Sequence, residues 1–160
     1  MVFQALIKLG LVPYGDIVPM TAECPTLTFN TIGRHQSRLV RTRVASNLSP
    51  WLAKTEVGDM HTIAISHGEG RFVASDDMLA QLKANGQIAT QYVDEAGVPG
   101  MDLSVNPNGS LLAIEGITSP DGRVFGKMGH SERYSNGTFK NVPGEKDQPL
   151  FAAGVEYFTA

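Results

Sequence analysis

The 160-residue sequence has a single cysteine, Cys24, so no disulfide can form within the chain and no cysteine pair can hold a metal. It also lacks any apolar run long enough to cross a bilayer. Its first residues do not follow the basic-then-apolar order of a secretion signal. A reducing cytoplasm is therefore the expected compartment. The Asn-x-Ser/Thr triplets at Asn47, Asn108 and Asn136 are then chance matches rather than glycan sites. Charge of one sign is scarce as well. Sixteen acidic against thirteen basic side chains give −3, too mild to mark a nucleic-acid or membrane partner. No glycine loop followed by Lys-Ser/Thr cradles a phosphate, and His35, His61, His67 and His130 show no metal-ligand spacing. Repeats and low-complexity tracts are absent.

What remains is one domain's length of globular composition, 42% apolar and 18% charged. "FQALIKLG" places Phe3, Leu6 and Ile7 at helical spacing and stops at Gly10. "TLTFN" (26–30), "SRLVRTRVAS" (37–46), "MHTIAIS" (60–66) and the short "RFVA" read as strands. "SDDMLAQLKANG" predicts a helix capped by Ser75, with Met78, Leu79 and Leu82 as its buried stripe and Asn85-Gly86 as its stop. "QIATQYVD" follows as a strand. The turn signals "NPNGS" and "SPDG" bracket "LLAIEGI", and with "RVFGKM" these form an expected hairpin. In "FAAGVEYF", Phe151, Val155 and Phe158 share one face of a closing helix. The sum is an α/β domain, expected to have a mixed sheet.

Several residues invite chemistry. His130 and Glu132 stand at i and i+2, and on an extended strand both would point to one face, carboxylate beside imidazole. Such a pair is two thirds of a nucleophilic triad. "ISHGEGRF" puts Ser66, His67 and Gly68 at a strand end, where α/β folds place ligand-handling groups. Its plain alternative is a glycine-rich turn with a solvated His67. Arg34, Arg38, Arg41 and Arg43 crowd one strand without interleaved aromatics. They read as a solvated face, or as a docking face for another domain, rather than as a nucleic-acid patch. Cys24 fails as the nucleophile. It precedes Pro25, which forces extended geometry, and no helix follows to lower its pKa or build an oxyanion hole.

In order, "FQALIKLGLVPYG", "GRHQSRLVRTRV", "SHGEGRF" and "NPNGSLLAIEGITSPDGRVFGKMGHSERY" resemble the C-terminal glutamine amidotransferase (class I) domain of phosphoribosylformylglycinamidine synthase. The resemblance runs from Phe3 to the end and implies a class I glutamine amidotransferase-like, flavodoxin-like three-layer fold. In that family the first helix follows an elbow reading Cys-Asn-Gly-Phe-Gln. Phe3 and Gln4 match its last two residues, and the nucleophile cysteine falls one position before Met1. The resemblance thus implies that residues 1–160 are the C-terminal part of a glutaminase domain whose first strands, with the cysteine, lie ahead of them. It makes His130 the general base and Glu132 the residue that orients it. Gly129 and Ser131 stand where the family often has proline. Ser66, His67 and Gly68 would line the glutamine site.

The activity implied is release of ammonia from glutamine. The parent ligase uses that ammonia, with ATP, to convert formylglycinamide ribonucleotide to formylglycinamidine ribonucleotide. ATP and Mg²⁺ would bind the parent's synthetase domains and no cofactor would bind here. Expected partners are glutamine, those synthetase domains, and a second copy of the chain through an exposed sheet edge. Alone, the chain is expected to be inactive. The alternative is a non-catalytic α/β interaction module with a residual His/Glu pair and the arginine strand as its working surface.

Overall fold

Two-residue periodicity in the middle of the chain builds a five-stranded sheet, described together with its surroundings for residues 2–160 in a computed structural model. In chain order the elements are helix α1 (Val2–Leu9), β1 (Thr26–Thr28), β2 (Gln36–Val44), β3 (Met60–His67) and β4 (Arg71–Val73). They continue with α2 (Asp76–Ala84), β5 (Ile88–Tyr92), β6 (Ile114–Thr118), β7 (Phe125–Lys127) and α3 (Leu150–Thr159). The main sheet runs β3-β2-β5-β6-β7, and β1 pairs with β4 in a small second sheet. The hairpin expected around "SPDG" is β6–β7, with Gly116 opposite Lys127 and Thr118 opposite Phe125.

The expected mixed sheet is not found among the described residues, where every strand pairing is antiparallel. A parallel pair needs a crossover between strands of one sheet. Here the crossover β4–α2–β5 joins strands of two different sheets. The main sheet also curls. β3 and β7 are its two edges, yet the His130 N–H just beyond β7 donates to the Ala64 carbonyl of β3 at 2.8 Å. Farther along, the Thr62 N–H donates to the Glu145 carbonyl at 2.6 Å. The β3 edge is therefore covered in part by the chain's own later segments.

Neighbouring residues on β5 point to opposite faces. Ile88 joins a core with Phe3 and Ile7 of α1, Leu82 of α2, Phe72 and Ile117. Ala89 joins Val44, Leu52 and Leu150 of α3 on the other side. Helix α2 forms as its sequence predicts, with the Ser75 Oγ accepting from the Met78 N–H at 3.2 Å and Gly86 left-handed at φ +69°.

Helix α3 forms too, but with its apolar stripe reversed. Phe151, Val155 and Phe158 are exposed, while Leu150, Ala153 and Gly154 face inward. The reason is Trp51, whose six-membered ring lies against Gly154 and leaves no room for a side chain there. Replacing Gly154 by alanine adds a helix propensity gain of about 1 kcal/mol. It also forces the rigid indole out of place, an overpacking cost of about 1–3 kcal/mol. A net loss in urea midpoint is expected, together with a shift in the emission of the only tryptophan. Unchanged emission would mean that Trp51 does not rest on this glycine.

Arg34, ahead of β2, is exposed, but the three arginines on β2 are engaged by the chain itself rather than standing as a free face. Arg38 donates to the Leu103 and Ser104 carbonyls, Arg41 pairs with Glu95 at 3.5 Å, and Arg43 donates to the Gly97 carbonyl. They hold the chain's own 94–105 segment against the sheet.

Candidate active site

Because the sheet curls, the end of β3 and the segment after β7 open onto one cleft of about 990 Å³. Ser66, His67, Gly68, His130 and Glu132 all line it, as do Phe3 and Gln4 from the start of α1. The His130–Glu132 pair and the Ser66–Gly68 turn are thus brought to one place, whereas Cys24 and the arginines Arg34, Arg38, Arg41 and Arg43 do not line it.

His130 and Glu132 are not on an extended segment. His130 has φ −103°, ψ 83°, and Ser131–Arg133 form a 3-10 turn. The i, i+2 pairing survives for a different reason: the turn folds the carboxylate back toward the ring. The Glu132 Oε1 lies 2.6 Å from His130 Nδ1. A carboxylate can only accept, so Nδ1 carries the proton and Nε2 is left as the basic nitrogen. Partial burial opposes charge on Glu132. The hydrogen bond from His130, a backbone N–H and the nearby positive charges outweigh that, and its carboxyl sits below the ordinary range.

The "SHGEG" turn is held from beneath. Asn30 Nδ2 donates to the His67 carbonyl at 2.9 Å, and Asn30 Oδ1 accepts from the Gly70 N–H at 3.1 Å. Ser66 Oγ lies 3.0 Å from His35 Nε2, half-buried at the cleft wall. His67 is not the solvated residue of the plain alternative. It is 5% exposed, and its Nε2 donates to Asn108 Oδ1 at 2.7 Å. Asn108 Nδ2 in turn donates to the buried Tyr92 hydroxyl at 2.7 Å. Gly70 is required here, since a Cβ would run into the His67 ring.

The sequence reading missed much of this support. "NPNGS" is more than a turn. Asn106, Asn108 and Ser110 are fully buried, Asn106 Oδ1 accepts from the Ser110 N–H, and Ser110 Oγ donates to the Gly70 carbonyl at 3.1 Å. The cluster of Asn and Ser in one short motif was the available signal, because buried amides make several bonds each. Glu69 was also missed. It lines the cleft and accepts from Gln4 Nε2 at 3.2 Å, tying the start of α1 to the turn.

Cys24 lies away from the cleft, in the loop before β1. Its sulfur accepts from the Thr21 N–H at 3.4 Å, and that bond holds the thiol below its ordinary pKa. The neighbouring Tyr14 hydroxyl is pushed up to about 12, first by burial.

Burial also holds His61 and His67 below the ordinary imidazole value of 6.5. Both therefore take up a proton less readily in the fold than in the unfolded chain. Between the two pKa values the unfolded chain binds more protons, so stability falls as pH falls. The urea midpoint is expected to drop between pH 7 and pH 5.5, and less steeply in His67→Gln. A flat midpoint across that range would contradict the lowered pKa values.

Residues 2–158 match the CobB/CobQ-like glutamine amidotransferase domain family. The chain is 38% identical over 133 residues to a phosphoribosylformylglycinamidine synthase subunit PurQ of Aquifex aeolicus, covering 83% of this chain and 53% of that protein. A PurQ subunit of Methanosarcina mazei is 34% identical over 133 residues, covering 83% of this chain and 55% of that one. Among solved structures, PurLQS from Thermotoga maritima superposes with a TM-score of 0.67 at 28% identity, over 98% of this chain and 58% of that chain. The chain thus spans about half the length of the curated relatives it matches.

Proposed function

The chain belongs to the CobB/CobQ-like glutamine amidotransferase family, and on that premise we propose that its cleft is the base-bearing half of a glutaminase site. His130 is the general base, Glu132 orients it, and Ser66, His67 and Gly68 form the wall against which glutamine lies. The observation that carries this reading is the 2.6 Å His130–Glu132 bond, set in the cleft that also holds Phe3, Gln4 and the "SHGEG" turn.

The chemistry needs a thiol beside His130, and the motif resemblance would put it next to Phe3, where α1 enters the cleft. His130 Nε2 takes the thiol proton as sulfur attacks the glutamine side-chain amide carbon, and the amide oxygen becomes the oxyanion. Collapse breaks the C–N bond, and His130 returns the proton to nitrogen, which leaves as ammonia. Water then adds to the thioester with His130 again as base, releasing glutamate and the thiol. Glu132 stabilises the imidazolium at both stages without taking its proton.

Among the roles open to such a site, we assign the supply of ammonia to phosphoribosylformylglycinamidine synthase, the name its relatives carry. The ammonia would serve an ATP- and Mg²⁺-dependent synthetase partner, which holds those cofactors. The interaction-module alternative has no comparable support, because its working surface, the β2 arginines, is occupied by the chain's own 94–105 segment. The test is glutamine hydrolysis by the chain joined to a cysteine-bearing segment, with and without His130.

A further inference from the structure

Behind the proposed base lies a buried ion pair that the triad does not use. Glu115, on β6, is fully buried. Its Oε2 accepts from the Thr90 hydroxyl, and its Oε1 accepts from the Gly129 N–H at 2.5 Å. That same oxygen lies 3.9 Å from Lys127 Nζ, whose side chain is only 10% exposed. Lys127 donates to Ser131 Oγ at 2.8 Å and to Gln148 Oε1 at 2.6 Å. Ser131 Oγ also donates to Gln148 Oε1, at 2.7 Å.

The anion thus grips residue 129 and the cation grips residue 131. His130 stands between them, with its own N–H on the Ala64 carbonyl. We propose that Glu115 and Lys127 are positioning residues, a buried pair that fixes the turn carrying His130 and so the direction of its imidazole. The proposal rests on the reading of His130 as the base, but its geometry stands apart from that reading.

Two considerations favour positioning over mere packing. Burying two charges costs desolvation that apolar side chains of similar volume would avoid, so such a pair is a weak source of stability. Its bonds instead go to the flanks of one functional residue. The space beside residue 129 is filled by Ile63 and by the Glu115 carboxylate: a Cβ on Gly129 would come within 2.6 Å of Ile63 Cγ2 and 2.9 Å of Glu115 Oε1. The carboxylate and the absence of a side chain at 129 fit one another.

The test is nitrogen-edited NMR of the histidine rings in the 160-residue chain. In the parent, the His130 Nδ1–H resonance is expected to be resolved and slow to exchange, as one tautomer held by Glu132 requires. Ser131→Ala removes the hydroxyl that Lys127 holds, together with its bond to Gln148. Glu115→Gln with Lys127→Met keeps an acceptor for the Gly129 N–H but removes both charges and the grip on Ser131. Both changes should broaden or abolish the His130 Nδ1–H signal and mix its tautomers, with the His67 resonances unmoved. Ser131→Thr, which keeps the hydroxyl, should restore the parent signal. An unaltered His130 resonance in Ser131→Ala overturns the proposal, and this variant decides the matter if the double variant fails to fold. Failure of the base reading would appear elsewhere, as glutamine hydrolysis that survives His130→Ala in the chain joined to a cysteine-bearing segment.

Discussion

Glutamine hydrolysis by the 160-residue chain alone is expected to be undetectable, and Cys24→Ser should change nothing. The cleft holds an imidazole and its orienting carboxylate, while the chain's one thiol sits in the loop before β1, bonded to Thr21. Base and orienter without a nucleophile cannot form the thioester. Loss of the nucleophile from a triad costs roughly 10⁶-fold in the best-measured serine case. Joined to a segment that presents a cysteine ahead of Phe3, the chain should hydrolyse glutamine. His130→Ala should then remove the activity by a similar factor. Glu132→Ala should cost less, on the order of 10⁴-fold at most, since an orienting carboxylate is the less costly member to lose. Its exposure lowers the expectation further, because water can replace part of its bond. Thiol-dependent hydrolysis by the chain alone, lost in Cys24→Ser, would overturn the assignment.

The elements were legible wherever local chemistry alone decides them. Helix α2 carries its cap, its stripe and its stop within one short segment, and it forms as written. The H-x-E pair was legible for a partly mistaken reason. Alternation predicted a shared face, whereas a 3-10 turn makes the contact. The reversal of α3 could not be read from its own residues, since it depends on Trp51 arriving from a distant turn to cover Gly154. The β2 arginines misled in the same way. Their partners are mostly backbone carbonyls of the 94–105 segment, and a carbonyl has no sequence signature. The largest omission was the polar interior. Glu115 lies inside a strand run and Lys127 just ahead of His130, neither at a spacing that suggests chemistry, and only the β6–β7 register brings Lys127 beside the Glu115 neighbour Gly116.

That buried pair leads to the largest expected change in stability. Lys127→Met removes the cation but leaves Glu115 fully buried, with the Thr90 hydroxyl and the Gly129 N–H as its remaining partners. Breaking a buried pair from one side costs about 3–5 kcal/mol, because the surviving charge keeps its desolvation cost and loses its compensation. The separation of 3.9 Å and the two remaining hydrogen bonds place this case near about 3 kcal/mol. For a domain of this size, that is a large part of the whole folding free energy. Adding Glu115→Gln removes the stranded charge while keeping an oxygen for the Gly129 N–H. The double variant is therefore expected to recover most of the loss, to within about 1 kcal/mol of the parent. Burial, acting first, already holds the Lys127 ammonium below its ordinary pKa against the pull of Glu115 and Glu132. The fold thus pays for this cation rather than profiting from it, which is why deleting both charges is tolerable and deleting one is not. Urea unfolding of the parent, the single and the double variants measures all three values at one pH. A single variant as stable as the parent, or a double variant as weak as the single, would show that Glu115 and Lys127 do not act as a pair.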